Sequence, residues 1–132
     1  MIFVFGSNAA GRHGKGAALE ARKNHGAIYG MGVGRQGSSY AIPTKDFSIK
    51  TMPLEAIKLH VAEFIEYAKT NLDLEFYVTR VGCGLAGYAD RDIAPMFFEA
   101  PKNCKFHQVW EEIHREMRDG KSQVQADRPQ AT

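Results

Sequence analysis

FVFGSNAAGRHGKGAA, residues 3–18, sets an apolar run against a loop of glycines and cations and then against good helix formers. The order strand, glycine-rich turn, helix is the opening unit of an α/β domain. Ile2–Phe5 is short, β-branched and aromatic and stops at Gly6, which predicts a buried strand. Asn8 follows, then Gly11, Gly14 and Gly16 alternate with Arg12, His13 and Lys15. The run GAALEARKNHG predicts a helix over Ala17–Asn24 with Gly26 as its stop.

Outward from that unit the alternation continues. Residues 26–37 carry Gly30, Gly32, Gly34 and Gly37 and read as a loop or irregular edge. Ser39–Ile42 predicts a short strand ended by Pro43. In Pro53–Lys69 the residues Leu54, Ile57, Val61, Phe64, Ile65 and Ala68 recur at three- and four-residue steps, which predicts an amphipathic helix with Pro53 in its first turn. Glu75–Val81 predicts a second strong strand. Asp90–Phe98 reads as a short helix capped near Asp90, Cys104–Val109 as a last strand and Trp110–Arg118 as a last helix. The expected organisation is one α/β domain over residues 1–118, with a central, mostly parallel sheet. From Asp119 onward the apolar pattern ceases, and residues 119–132 are expected to form a disordered tail.

With 132 residues, 44% apolar and 24% charged, the chain is sized for one core. Seventeen basic and fifteen acidic residues give a net charge of +2, too small to argue for nucleic acid or a membrane as the main partner. Cys83 and Cys104 have no paired spacing and read as reduced thiols, and the histidines show no metal-ligand spacing, so no metal site is expected. The N-terminus lacks a charged segment followed by a long apolar one, and no run approaches the ~20 residues of a membrane span. A soluble cytoplasmic protein without a cofactor is the expectation.

Nine of the thirteen glycines lie between positions 6 and 37, and three more fall within Gly82–Gly87. Both groups begin where a predicted strand ends. In open α/β sheets ligands bind beyond the carboxyl ends of the strands. Glycine lets backbone amides approach a ligand, and a helix N-terminus adds partial positive charge. The two loops therefore predict one anion cradle, for a phosphate or diphosphate, on Gly14–Ala17 and Gly82–Gly87. Neither loop carries the P-loop lysine motif. Arg12 and Lys15 offer charge to phosphate oxygens. His13, among glycines, reads as an accessible side chain and a candidate general base. Asp46, just past a strand, is a second catalytic candidate, with turn capping as the alternative. Cys83 has no adjacent base and reads as a small packing residue, and Asp90 as a helix cap.

FGSNAAGRHGKGAALEARKNHGAIYG, SYAIPTKD and YVTRVGCGLAGY together resemble a compact macro-domain-like family found in bacteria and phages. The resemblance covers residues 1 to about 100. It implies a three-layer α/β/α fold, here shortened at the N-terminus, that binds ADP-ribose or a related nucleotide diphosphate-sugar. Gly6, Ser7 and Asn8 would form the first strand exit, with Asn8 on a ribose hydroxyl and, in a hydrolase, orienting the attacking water. Gly14, Lys15, Gly16 and Ala17 would form the glycine turn. Gly82, Cys83, Gly84, Leu85, Ala86, Gly87 and Tyr88 would form the diphosphate loop, with Tyr88 closing it. The aspartate that holds adenine in the family has no counterpart in this chain. The alternatives are a hydrolase of ADP-ribosyl groups, a protein that sequesters a nucleotide-derived signal, and an interaction module without ligand.

Overall fold

In the computed structural model, which describes residues 1–120, a five-stranded sheet has the order β2-β3-β1-β4-β5. The strands are β1 (Ile2–Asn8), β2 (Gly34–Gln36), β3 (Ser39–Lys45), β4 (Phe76–Val78) and β5 (Cys104–Phe106). All neighbours are parallel except the edge pair β2–β3. The helices are α1 (Gly16–Asn24), α2 (Leu54–Lys69), α3 (Asp90–Ile93), which runs on as a 3-10 turn over Ala94–Phe97, and α4 (Gln108–Arg118). No helix among the described residues is long and apolar enough to cross a membrane.

Strand alternation supplies two apolar surfaces. Ile2 and Val4 of β1, Tyr40 and Ile42 of β3, and Phe76 and Val78 of β4 face α2 and α4 in the larger cluster. The stripe of α2 closes that face: Ile57, Val61, Phe64, Ile65 and Ala68 are its buried residues. Phe64 packs edge-on to Tyr40, Phe76 and Phe97 at 5.1, 5.4 and 6.1 Å between ring centres. Phe5 and Ala41 point the other way, onto Ala18 and Ala21 of α1.

Element identities follow the sequence reading, and several boundaries do not. β3 runs through Pro43 to Lys45 instead of ending at Ile42. β2 begins opposite Ala41 and runs back to Ser39, so a missing N–H at Pro43 falls where β3 lacks that neighbour and breaks no ladder bond. The strand expected over Glu75–Val81 shrinks to Phe76–Val78. The Thr79 amide and hydroxyl both donate to the Val4 carbonyl, at 3.0 and 2.7 Å, and the chain turns out of the sheet. Strand β2 emerges as an edge strand inside the segment read as a loop or irregular edge. Asp90 does not cap α3. The N-cap is Ala89, whose amide donates to the Asp92 carboxylate, while Asp90 turns toward Arg80 and Trp110. Of the expected tail, Asp119 and Gly120 close α4 and residues 121–132 lie outside the described residues.

β1 is the point where the strand order reverses. The chain leaves it through α1 to reach β3 on one side, then crosses through α2 to β4 on the other. The loops beyond the carboxyl ends of β3, β1 and β4 therefore diverge and leave a crevice between them.

Candidate functional site

A cleft of about 850 Å³ occupies that crevice. Its walls come from three strand exits: Gly6–Asn8 at the end of β1, Thr44 and Lys45 at the end of β3, and Thr79–Ala86 after β4. The start of α1, from Gly14 to Ala18, completes it. The two glycine loops predicted from sequence thus face one space, as expected.

The glycines divide into two kinds. Gly11 and Gly32 are close-packing positions. A Cβ on Gly11 would lie 2.3 Å from the Gly30 carbonyl carbon, and one on Gly32 would lie 2.2 Å from the Asn8 carbonyl oxygen. They press residues 28–32 onto residues 8–11, sealed by hydrogen bonds from the Gly30 amide to the Gly11 carbonyl and from the Ser7 hydroxyl to the Gly32 carbonyl. Gly14, Gly16, Gly84 and Gly87 have open space where a Cβ would stand. Three of these four line the cleft.

Backbone donors collect around those open positions. Lys15 precedes α1 in an extended conformation, without a side-chain cap and with no acidic residue in the first turn. The amides of Gly16, Ala17 and Ala18 have no acceptor among the described residues, as the first helical turn requires. The amides of Gly84, Leu85 and Ala86 likewise donate no bond among the described residues. Arg12, Lys15, Lys45 and Arg80 also line the cleft, and the lining contains no Asp, Glu or His. Six donor amides and the cations Arg12, Lys15 and Lys45, with Arg80 engaged by Asp90 just outside the lining, give this surface a positive character.

Side chains at the strand exits are fixed by their neighbours. Asn8, at 9% exposure, donates from Nδ2 to the Arg12 carbonyl at 3.1 Å and accepts from the Arg12 amide on Oδ1 at 2.9 Å. It therefore braces the loop that carries Arg12 while lining the cleft. Arg80 makes a two-pronged pair with Asp90, Nε to Oδ1 at 2.8 Å and Nη2 to Oδ2 at 2.7 Å. Asp90 also accepts from the Trp110 indole at 2.7 Å. The Arg80 hydrogen bonds, with help from Trp110, hold the Asp90 carboxyl down at about 2 against the opposing effect of burial.

Three expectations change at this level. His13 is not accessible: it is fully buried, its Nε2 lies 2.9 Å from the Met31 carbonyl and its ring stands edge-on to Phe5. The inward turn of the loop, fastened by the glycine packing, encloses it, and the general-base reading loses its ground. Asp46 does not line the cleft, because its Oδ1 accepts from the amides of Ser48 and Lys50 and holds a turn. Tyr88 is anchored by its hydroxyl to the Met52 carbonyl at 2.6 Å and packs against the larger core, so it closes the loop from behind. Cys83 is the packing residue expected, and burial pushes its thiol up to about 12. No group of three or more metal-ligating side chains is gathered among the described residues.

Thr44, Lys45, Ile49, Thr79 and Arg80 belong to the lining and were not singled out by sequence. Four of them are the residues at which β3 and β4 leave the sheet, and that position was the signal available. Ile49 had no signal, because its turn brings it back across the cleft.

No family model matches the chain, and no curated protein or solved structure matches it either.

Proposed function

We propose that this cleft binds ADP-ribose or a related nucleotide diphosphate-sugar, in a three-layer, macro-domain-like arrangement of helices about the sheet. The observation that carries the reading is the composition of the cleft wall. Two strand-exit loops present open glycines and unpaired amides to one space, with Arg12, Lys15 and Lys45 beside them, Arg80 already paired to Asp90, and no carboxylate in the lining itself. Two such loops supply donors enough for both phosphates of a diphosphate. Gly16–Ala18 at the head of α1 and Gly84–Ala86 would each hold one phosphate, with Arg12 and Lys15 neutralising charge. The ribose beyond them would meet Asn8 at the β1 exit.

Binding is favoured over hydrolysis. The hydroxyls of Ser7, Thr44 and Thr79 each donate to a backbone carbonyl. The Cys83 thiol is held protonated, and no carboxylate or imidazole lines the cleft to activate water. Calorimetric titration with ADP-ribose, NAD, ADP and AMP tests the reading. ADP-ribose should bind and AMP should bind much more weakly. Equal affinities, or none, would remove the diphosphate assignment.

A further inference from the structure

Ile49 is the sole non-glycine residue with a left-handed backbone among the described residues, at φ +63°. A β-branched side chain is poorly suited to that conformation, which glycine or asparagine adopts at little cost. The turn that imposes it is over-determined. The Asp46 amide donates to the Lys50 carbonyl at 2.8 Å, the Ile49 amide donates to the Asp46 carbonyl at 3.0 Å, and the Asp46 carboxylate takes two further amides. The turn is also stapled to the second glycine loop. Lys45 and Thr51 bridge its base, and the Thr51 hydroxyl donates to the Ala86 carbonyl at 3.2 Å. Strain held this firmly costs stability and persists where the side chain has a use.

Ile49 lines the cleft and joins neither apolar cluster. Leu85 lines the same cleft from the stapled loop, 65% exposed, and is likewise outside both clusters. Phe47, two residues before Ile49, is 75% exposed. A site made for anions alone has no need of this apolar surface. The cleft volume also exceeds what a diphosphate fills and suits a nucleotide-sized ligand.

We propose that Ile49 and Leu85 form an apolar clamp for the nucleobase of the bound nucleotide, and that Ile49 tolerates its left-handed backbone to supply one jaw. This rests on the anion-cradle reading above and adds the residues that tell a nucleotide from a bare diphosphate. A flat, apolar-faced ring is the group such a surface recognises, since aliphatic side chains pack on its face without needing to read its edge.

The experiment compares the parent with Ile49→Gly and Ile49→Asn, each titrated calorimetrically with ADP-ribose and with inorganic pyrophosphate, and each melted without ligand. Both substitutes accept the left-handed backbone, so both variants should fold and melt at or a few degrees above the parent temperature. ADP-ribose affinity should fall by about tenfold or more in each, the scale of one lost aliphatic packing contact, while pyrophosphate affinity stays within about twofold. Variants that bind ADP-ribose like the parent overturn the clamp and leave the anion cradle standing. Equal losses for ADP-ribose and pyrophosphate also overturn it, showing that the turn only shapes the cradle. A parent that binds neither probe overturns the cradle and the clamp together.

Discussion

A methyl group on Gly32 is the sharpest perturbation of the architecture that builds the cleft. The Cβ of Gly32→Ala would stand 2.2 Å from the Asn8 carbonyl oxygen, 2.6 Å from the Ala9 carbonyl oxygen and 2.7 Å from the Ala9 carbonyl carbon. All three are backbone atoms, so no side chain can swing aside. An ordinary carbon–oxygen contact is about 3.3 Å, and one of the two packed segments must therefore retreat by about 1 Å. That displacement pulls the Gly32 carbonyl from the Ser7 hydroxyl and strains the bond from the Gly30 amide to Gly11. Overpacking of this kind costs about 1–3 kcal/mol and the broken hydrogen bond about 1 kcal/mol more. A total near 2–4 kcal/mol lowers the melting temperature by roughly 8–16 °C in a chain of this size. Urea unfolding with an unchanged slope measures it. Gly84→Ala is the control: nothing lies within 4 Å of its Cβ, and stability should move by less than about 0.5 kcal/mol. A Gly32→Ala loss as small as the control's would refute the division of glycines into packing and open positions.

Gly84→Val should fold like the parent, for the same open space, and lose at least about tenfold in ADP-ribose affinity because the branch blocks approach to the loop amides; unchanged titration would make that loop structural only. Asn8→Ala removes both bonds to the Arg12 peptide and should cost about 1–2 kcal/mol in urea unfolding; a neutral result would show that the loop holds itself. Asp90 has a folded pKa depressed to about 2, so its contribution is complete above about pH 4 and is lost as pH falls toward 2. Asp90→Asn should flatten that part of the stability–pH curve, and a variant curve parallel to the parent's would deny the Arg80 pair any net role.

How much was legible in the sequence depends on how local each determinant is. The β1-turn-α1 unit and α2 could be read because their apolar spacing is written in consecutive residues. The crevice could be read because two glycine groups each follow a strand. Pro43 misled, because its place in β3 depends on where β2 begins, a fact of pairing and not of spacing. His13 misled for a related reason: its own neighbours are small and polar, and it is buried by residues 28–32, which fold back over it from eighteen positions away. Ile49 was invisible, since its conformation is imposed by a turn whose hydrogen bonds leave no trace in hydropathy.

The central claim is that both glycine loops grip one diphosphate. Amide chemical shifts followed during titration with ADP-ribose test it most directly. Gly14–Ala18 and Gly82–Gly87 should shift together and saturate at a single dissociation constant, while the amides of residues 26–37 that pack behind the loop stay in place. Shifts confined to one loop, saturation at two different constants, or a response centred elsewhere on the surface would contradict it.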